Sequence, residues 1–126
     1  MIKLIFCLRR KPGMTLAAFQ SYWRDEHAPL VAKHKDVLGI RRYVQCHARP
    51  SDLDAPLQAS RAGSLEAAPQ AYDGVAELWI DSFDALIALG DNPEAAAAGA
   101  ELLEDEAKFI DLANSPLWYS EETVII

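Results

Sequence analysis

The chain has 126 residues, 51% of them hydrophobic and 25% charged, which is typical of a folded protein and favours a single domain over residues 1–126. Its formal net charge of −7 argues against nucleic-acid binding, because an acidic surface repels the phosphate backbone. No apolar run approaches the ~20 residues of a membrane-spanning helix and the first residues lack a signal-peptide pattern, so we expect a cytoplasmic protein without membrane contact.

The first predicted element is a strand at residues 2–9, IKLIFCLR. One face of this strand would carry Ile2, Leu4, Phe6 and Leu8. Apolar residues occupy the other face too, and a strand that is apolar on both faces must be covered on both. Cys7 and Cys46 both lie in apolar strand-like segments, so we expect buried free thiols and neither a disulfide nor a metal site.

A helix is predicted to begin after Thr15, because a threonine oxygen is a good N-cap acceptor. Its buried stripe, at spacings of three, four and four residues, comprises Leu16, Phe19, Trp23 and His27. Pro29 cannot continue the backbone hydrogen bonding, so a kink or a new short helix is expected there. This arrangement would place His27 on the buried side of the helix, at the edge of the core.

The remaining elements follow in chain order. They are a strand at 40–49, a long loop at 50–72, a strand within 72–81, a short helix capped by Ser82, an Ala-rich turn after Pro93, a helix at 100–113 and a strand at 117–126. In the second strand, IRRYVQCHAR, alternation places Tyr43, Gln45 and His47 on one face. These three side chains are therefore expected to line one surface together.

The order strand, helix, strand, strand, helix, strand predicts an α+β protein with a ferredoxin-like fold. Two helices would then cover one face of a four-stranded antiparallel sheet. The other face is also apolar, and the simplest cover for it is a second copy of the chain, so we expect a homodimer.

The segment RRKPGMTLAAFQSYWRDEHAPLV resembles the opening of EthD-domain proteins. The later segments RRYVQCH, YDGVAELW and EDEAKFID resemble the same family in the same order. The resemblance implies a dimeric α+β barrel, in which two ferredoxin-like protomers join through their sheets. It also implies a small-molecule site, because relatives of this fold include dehydratases, isomerases and monooxygenases, and the family is associated with ether degradation.

The resemblance also assigns candidate functional residues by position. The family's histidine in the HAPL motif corresponds to His27, and the tyrosine and histidine of its strand motif correspond to Tyr43 and His47. The other corresponding positions are Trp79, Asp105 and Glu106. We take His27, Tyr43 and His47 as the candidate catalytic residues.

Two interpretations of His27 remain open from the sequence. It could be a core histidine bonded to a backbone carbonyl. It could instead be an acid–base group facing an apolar space, with its pKa tuned by burial and with the carbonyl of Asp25, freed by Pro29, as an acceptor near the ring. We favour the second interpretation as the functional hypothesis.

Glu106 has two interpretations as well. Together with Asp105 it could supply a second acid–base group, and it is the better candidate because it falls on the line of Leu102 and Phe109. Both could instead belong to a solvated charged face with Glu101 and Glu104. Aromatic residues are expected in the core, with some lining the ligand space: Phe19, Trp23, Trp79, Phe109 and Trp118. Metal-binding and nucleotide-binding motifs are absent from the sequence, so we expect neither a metal nor a cofactor.

Three classes of function compete at this point. The first is a cofactor-independent enzyme that eliminates, isomerises or oxygenates an apolar or aromatic compound of a catabolic or polyketide-type pathway, with His27 as acid or base. The second is a non-catalytic ligand-binding accessory protein of ether or aromatic degradation. The third is a structural dimer without a ligand. A cavity beside His27 would favour the first two over the third.

Overall fold

The centre of the fold is an antiparallel sheet of four strands, seen in a computed structural model that describes residues 1–62 and 70–126. The strands are β1 (Ile2–Leu8), β2 (Ile40–His47), β3 (Gly74–Ile80) and β4 (Leu117–Ser120). Their spatial order is β2-β3-β1-β4, and each neighbouring pair runs antiparallel. The predicted α+β class and ferredoxin-like topology are thus confirmed.

The helical segments are α1 (Leu16–Tyr22), a π-helical turn (Trp23–His27), α2 (Ala28–Lys33), α3 (Lys35–Leu38), α4 (Asp54–Ala62), α5 (Phe83–Ala88) and α6 (Pro93–Glu106). Short 3-10 turns lie at Leu89–Asp91 and Leu112–Asn114. In the part of the chain that the structure describes, no helix has both the length and the apolar character needed to cross a bilayer.

The two faces of the sheet differ in what covers them. The inner face, which packs against the helices, carries Leu4, Phe6, Leu8, Tyr43, Gln45, His47, Ala76, Leu78, Ile80, Leu117 and Tyr119. The outer face carries Lys3, Ile5, Cys7, Arg42, Val44, Cys46, Val75, Glu77, Trp79 and Trp118. Because Tyr43 and His47 lie on the inner face, they meet the helices of their own chain.

The N-terminal helix begins and ends as its sequence predicts, with one local change. The Thr15 side chain accepts a hydrogen bond from the Ala18 N–H at 3.1 Å, and Pro29 lies in the first turn of α2. Between α1 and α2 the Ala28 N–H donates to the Trp23 carbonyl, five residues back, which widens this turn into a π-helical one. Such turns occur often at functional sites.

The core lies between the inner face and α1, the π-helical turn and the end of α6. Its fully buried large side chains are Leu8, Phe19, Trp23 and Phe109. The Phe19 ring centroid lies 5.7 Å from that of Trp23 and 5.6 Å from that of Phe109. The Trp23 ring packs directly over Gly74, where a Cβ atom would overlap the indole, so this glycine allows the close approach of turn and strand.

Four of the predicted elements differ from the structure. The segment 50–72 contains α4, while residues 63–69 lie outside the described part of the chain. The Ala-rich stretch is helical within α6, because alanine is the strongest helix former and Asn92 caps the helix, accepting from the Glu94 N–H at 3.0 Å. This helix begins and ends seven residues earlier than the predicted 100–113, and the last strand stops at Ser120, so it is shorter than predicted.

Both cysteines are free, as predicted, because β3 separates β1 from β2. The expectation that both are buried is wrong for one of them. Cys7 is buried, but Cys46 is exposed on the outer face near the edge of the sheet, where no element of the described chain covers it.

Candidate functional site

A cavity of about 290 Å³ lies between the inner face of the sheet and the helices. Its wall is mainly aliphatic. The side chains on it that carry a polar atom are Trp23, His27, Tyr43, Glu106 and Tyr119. A concave apolar space with a few convergent polar groups is the usual form of a small-molecule site.

His27 lies on the cavity wall and is held from behind by a carboxylate. It is the last residue of the π-helical turn, is only 5% exposed, and places Nδ1 2.7 Å from Oδ2 of Asp105 in α6. The other oxygen of Asp105 accepts from the Tyr22 hydroxyl at 2.6 Å, and the Lys108 ammonium lies 3.5 Å from it. The ring also packs against Phe109, with centroids 5.1 Å apart. The partner of the His27 ring is therefore a side-chain carboxylate and not a backbone carbonyl.

The Asp105 carboxylate fixes which nitrogen of His27 carries the hydrogen. Burial acts to raise the pKa of Asp105, but the hydrogen bonds from Tyr22 and His27 outweigh it and lower the pKa. An ionised carboxylate only accepts, so neutral His27 carries its hydrogen on Nδ1 and its lone pair on Nε2. Because Asp105 lies outside the cavity lining, the ring turns its Nε2 edge toward the cavity.

Burial also sets the charge of His27. It lowers the pKa of the imidazole, and the hydrogen bond and charge of Asp105, which act to raise it, only partly compensate. The ring is therefore neutral near pH 7, and its Nε2 lone pair can accept a proton. Among the described residues Nε2 has no hydrogen-bond partner, so it remains available to a ligand.

Glu106, the last residue of α6, is half-buried and lines the same cavity. Burial raises its pKa to about 7, and the charge of neighbouring Asp105 adds to the rise. Successive residues of a helix point about 100° apart, so one carboxylate supports His27 while the next reaches the cavity. The solvated-face interpretation holds for Glu101 and Glu104, which are exposed, but not for Asp105 and Glu106.

Tyr43 enters the cavity from β2 with its hydroxyl bound on two sides. Its Oη lies 3.1 Å from Nε1 of Trp23 and 2.9 Å from Nε2 of Gln45. Burial raises the pKa of Tyr43, and these two hydrogen bonds only partly oppose the rise. The hydroxyl thus stays protonated at neutral pH.

His47, the third predicted catalytic residue, lies behind Trp23 and does not line the cavity. The two rings are 4.5 Å apart, and His47 Nε2 lies 2.8 Å from Oε1 of Gln45. Its buried Nδ1 has no hydrogen-bond partner among the described residues. Burial lowers its pKa, and the charge of Arg24 lowers it further. This geometry gives His47 a place beside the site, not in it.

The aromatic residues predicted to contact a ligand lie in three different places. Trp23 lines the cavity, whereas Phe19 and Phe109 are completely buried beneath it in the core. Trp79 lies on the outer face, where Lys3 and Arg42 pack over its ring at 4.7 Å each, so it does not reach the cavity. The aromatic character of these residues could not distinguish the three positions.

Sequence reasoning missed the supporting roles of Asp105, Tyr22 and Gln45. Asp105 is 78 residues from His27 and sits in a run of acidic residues, which hides it among solvated side chains. The sequence did contain a usable signal. Asp105 lies three residues after Leu102 and four before Phe109, and these two residues face the cavity or the core. Gln45 lies on the strand face where it was expected, with Tyr43 and His47, but its hydrogen bonds to Tyr43 and to the Trp23 carbonyl were not anticipated.

Comparison with known proteins gives a consistent family and fold. A family model for the EthD domain matches residues 11–113. An EthD family protein of Bacillus halodurans has 23% identity and a TM-score of 0.61, with 98% of this chain and 99% of that chain covered. An EthD-like protein of Ralstonia eutropha has 25% identity and a TM-score of 0.60, with coverage of 98% and 92%. HapK of Hahella chejuensis has 14% identity and a TM-score of 0.55, with coverage of 100% and 98%, which shows the shared fold.

None of the curated proteins compared matches the chain. The family match nevertheless spans most of the sequence and includes His27, Tyr43, Asp105 and Glu106. The chain is therefore a member of the EthD-domain family.

Proposed function

We propose that the protein is a cofactor-independent enzyme that transfers a proton at carbon in a small apolar or aromatic compound. The observation that carries this proposal is the His27 imidazole on the wall of an apolar cavity, held through Nδ1 by Asp105 at 2.7 Å. Elimination and isomerisation both begin with removal of a proton from carbon, so both reaction types suit the site.

In the proposed step His27 is the general base. Its Nε2 accepts the proton from a substrate carbon, and the imidazolium that forms is stabilised by the Asp105 carboxylate on the other side of the ring. A carboxylate that fixes the tautomer and orientation of a catalytic histidine performs the same task in hydrolytic triads. The apolar wall excludes water, which strengthens these electrostatic interactions.

Glu106 is the proposed general acid. With a pKa of about 7, part of its population is protonated at neutral pH, which is the condition for efficient proton donation. In an elimination the C–H bond breaks, a C=C bond forms, and the departing hydroxyl takes the Glu106 proton and leaves as water. In an isomerisation the same group or the His27 imidazolium returns a proton to another carbon.

The cavity limits the size of the substrate. A volume of about 290 Å³ is at the small end of ligand pockets, and the wall is predominantly apolar. We propose a compound of about the size of one substituted aromatic ring, bound between β2, β3 and the π-helical turn.

Hydrogen–deuterium exchange at carbon tests this function without knowledge of the natural substrate. The wild-type protein is incubated in D₂O with small aryl ketones (acetophenone, phenylacetone and indanone), and loss of the signals of hydrogens next to the carbonyl is followed by NMR. We expect acceleration over buffer, and a loss of about 10²–10⁴-fold in His27→Ala, because a general base contributes that much.

His34→Ala is the matched control, since His34 lies between α2 and α3, bonded to Glu101 at 2.7 Å and outside the cavity wall. It should exchange like the wild type. Equal rates for wild type and His27→Ala would contradict the role of His27. Ketone binding without exchange would favour the non-catalytic ligand-binding protein instead.

We also propose that two copies of the chain form a homodimer through their outer faces. This face is largely apolar and includes Trp118, which is 47% exposed. The charge of Lys3 near its centre is paired, because the ammonium lies 2.9 Å from Glu77 and 3.1 Å from Glu122. A stable contact would bury about 1,600 Å² in total.

Sedimentation equilibrium at micromolar concentration should give twice the chain mass of 13.9 kDa. Trp118→Glu should shift the protein toward the monomer, because it places a charge in the apolar contact. A wild-type protein that sediments only as the 13.9 kDa species would rule out the dimer.

A further inference from the structure

A chain of hydrogen bonds that all run in one direction ends at the hydroxyl of Tyr43. The Trp23 carbonyl oxygen can only accept, and it lies 2.9 Å from Nε2 of Gln45. This contact fixes the amide of Gln45, with its NH₂ toward Trp23 and its Oε1 toward His47. His47 Nε2–H therefore donates to Gln45, and Gln45 donates onward to Tyr43 at 2.9 Å.

The Tyr43 oxygen receives a second donor from the other side. Trp23 Nε1 is a donor only, and it lies 3.1 Å from Tyr43 Oη. With both acceptor positions of the oxygen occupied, the hydroxyl hydrogen of Tyr43 must be donated elsewhere. No third partner for it occurs among residues 1–62 and 70–126, and the residue lines the cavity, so the O–H is directed into the cavity.

The π-helical turn couples this donor to the base. The Trp23 carbonyl that fixes Gln45 is the same one that accepts from the Ala28 N–H and closes the turn ending at His27. The orientation of Tyr43 and the position of His27 are thus set by one local backbone feature.

We propose that the cavity binds a carbonyl compound, that Tyr43 donates its hydrogen bond to the carbonyl oxygen, and that Gln45 is a positioning residue that holds Tyr43 in this orientation. The inference rests on the proposed function and names its substrate class. A hydrocarbon ligand would leave the buried hydroxyl without an acceptor, which is unfavourable, whereas a carbonyl oxygen supplies one.

The reaction step then balances without any further reagent. His27 Nε2 takes a proton from the carbon next to the carbonyl, and the C–H electron pair forms a C=C bond. The carbonyl π electrons move to oxygen, which becomes an enolate oxygen stabilised by the Tyr43 hydrogen bond. The imidazolium or Glu106 returns a proton to carbon, or protonates a leaving hydroxyl.

Acetophenone is the probe, compared with α-methylstyrene, in which a CH₂ group replaces the carbonyl oxygen. Affinity is measured by titration calorimetry, and the carbonyl stretch of bound acetophenone by isotope-edited infrared difference spectroscopy. In the wild type we expect a band at lower wavenumber than in hexane. Tyr43→Phe should return the band to its hexane position and weaken acetophenone binding about two- to tenfold, the effect of one neutral hydrogen bond.

Binding of α-methylstyrene should be unchanged by Tyr43→Phe. Tyr72→Phe removes the hydroxyl of a ring that stacks against Arg9 outside the cavity, so it should change the binding of neither ligand. Gln45→Leu should place the carbonyl band of acetophenone between those of the wild type and Tyr43→Phe. If Tyr43→Phe does not fold, the band of Gln45→Leu is used in its place. A wild-type protein that prefers α-methylstyrene, that binds neither ligand, or whose band is unchanged by both substitutions overturns the inference. A Tyr43-dependent band without hydrogen–deuterium exchange refutes the proposed function alone.

Discussion

Replacement of Asp105 by asparagine is expected to lower the rate of proton transfer by about 10²–10⁴-fold while the cavity keeps its shape. The amide NH₂ of the new side chain would donate to His27 Nδ1, which is 2.7 Å from the present carboxylate. The hydrogen of the neutral imidazole would then move to Nε2, and the nitrogen that faces the cavity could no longer accept a proton. The uncharged amide would also fail to stabilise the imidazolium.

The exchange rate of the aryl ketones measures this effect directly. Glu104→Gln is the matched control, because Glu104 precedes Asp105 on α6 and is exposed to solvent. It removes the same charge from the same helix without a contact to His27. A normal rate in Asp105→Asn, or an equal loss in both variants, would show that the carboxylate does not act through the histidine.

Replacement of Glu106 by glutamine is expected to stabilise the protein at alkaline pH and to remove one limb of its pH–rate profile. The pKa of Glu106 is raised from 4.5 to about 7, so the folded state binds this proton more tightly than the unfolded state does. The resulting stability is fully present below pH 4.5 and is lost as the pH rises through about 7. At pH 8 the ionised carboxylate is therefore unfavourable, and its removal should raise the free energy of unfolding by about 1–3 kcal/mol.

Urea unfolding at pH 8 and pH 5.5 checks the stability change, which should shrink at the lower pH. For catalysis, the wild-type rate should rise as the pH increases through the pKa of His27, below 6.5, and fall as the pH increases through about 7. Glu106→Gln should lose the alkaline limb and keep the acidic one. If its stability gain is the same at both pH values, Glu106 does not titrate near neutrality.

The proposed acid–base site lowers the stability of the folded protein. His27 and Glu106 are both held in surroundings that oppose their charged forms, and burial is the main cause in each case. The two pKa values consequently move in opposite directions, that of His27 down from 6.5 and that of Glu106 up to about 7. Such pairs of groups are a common feature of acid–base sites.

The sequence predicted the topology and the buried stripe that ends at His27 because both depend on local chemistry. Thr15 caps the helix through its own oxygen, and Pro29 starts the next helix because it lacks an N–H. These effects act over a few residues and can be read from neighbouring letters.

Contacts between distant residues could not be predicted in the same way. The charge of Asp105 suggests solvent, and only the packing of α6 against the π-helical turn brings it to His27. The face of Trp79 depends on strand register, and one residue of slip would reverse it. The hydrogen bond from the Ala28 N–H to the Trp23 carbonyl, which makes the turn π-helical, has no recognisable motif in the sequence.

A nitrogen-15 NMR titration of the His27 imidazole in the wild-type protein tests its role as a general base most directly. The chain has three histidines, so the His27 signals can be assigned by their loss in His27→Gln. We expect a neutral ring at pH 7 with its hydrogen on Nδ1, a titration midpoint below 6.5, and a shift of the Nε2 resonance when acetophenone binds. A hydrogen on Nε2, a midpoint above 6.5, or an Nε2 resonance that ignores bound acetophenone would contradict this role.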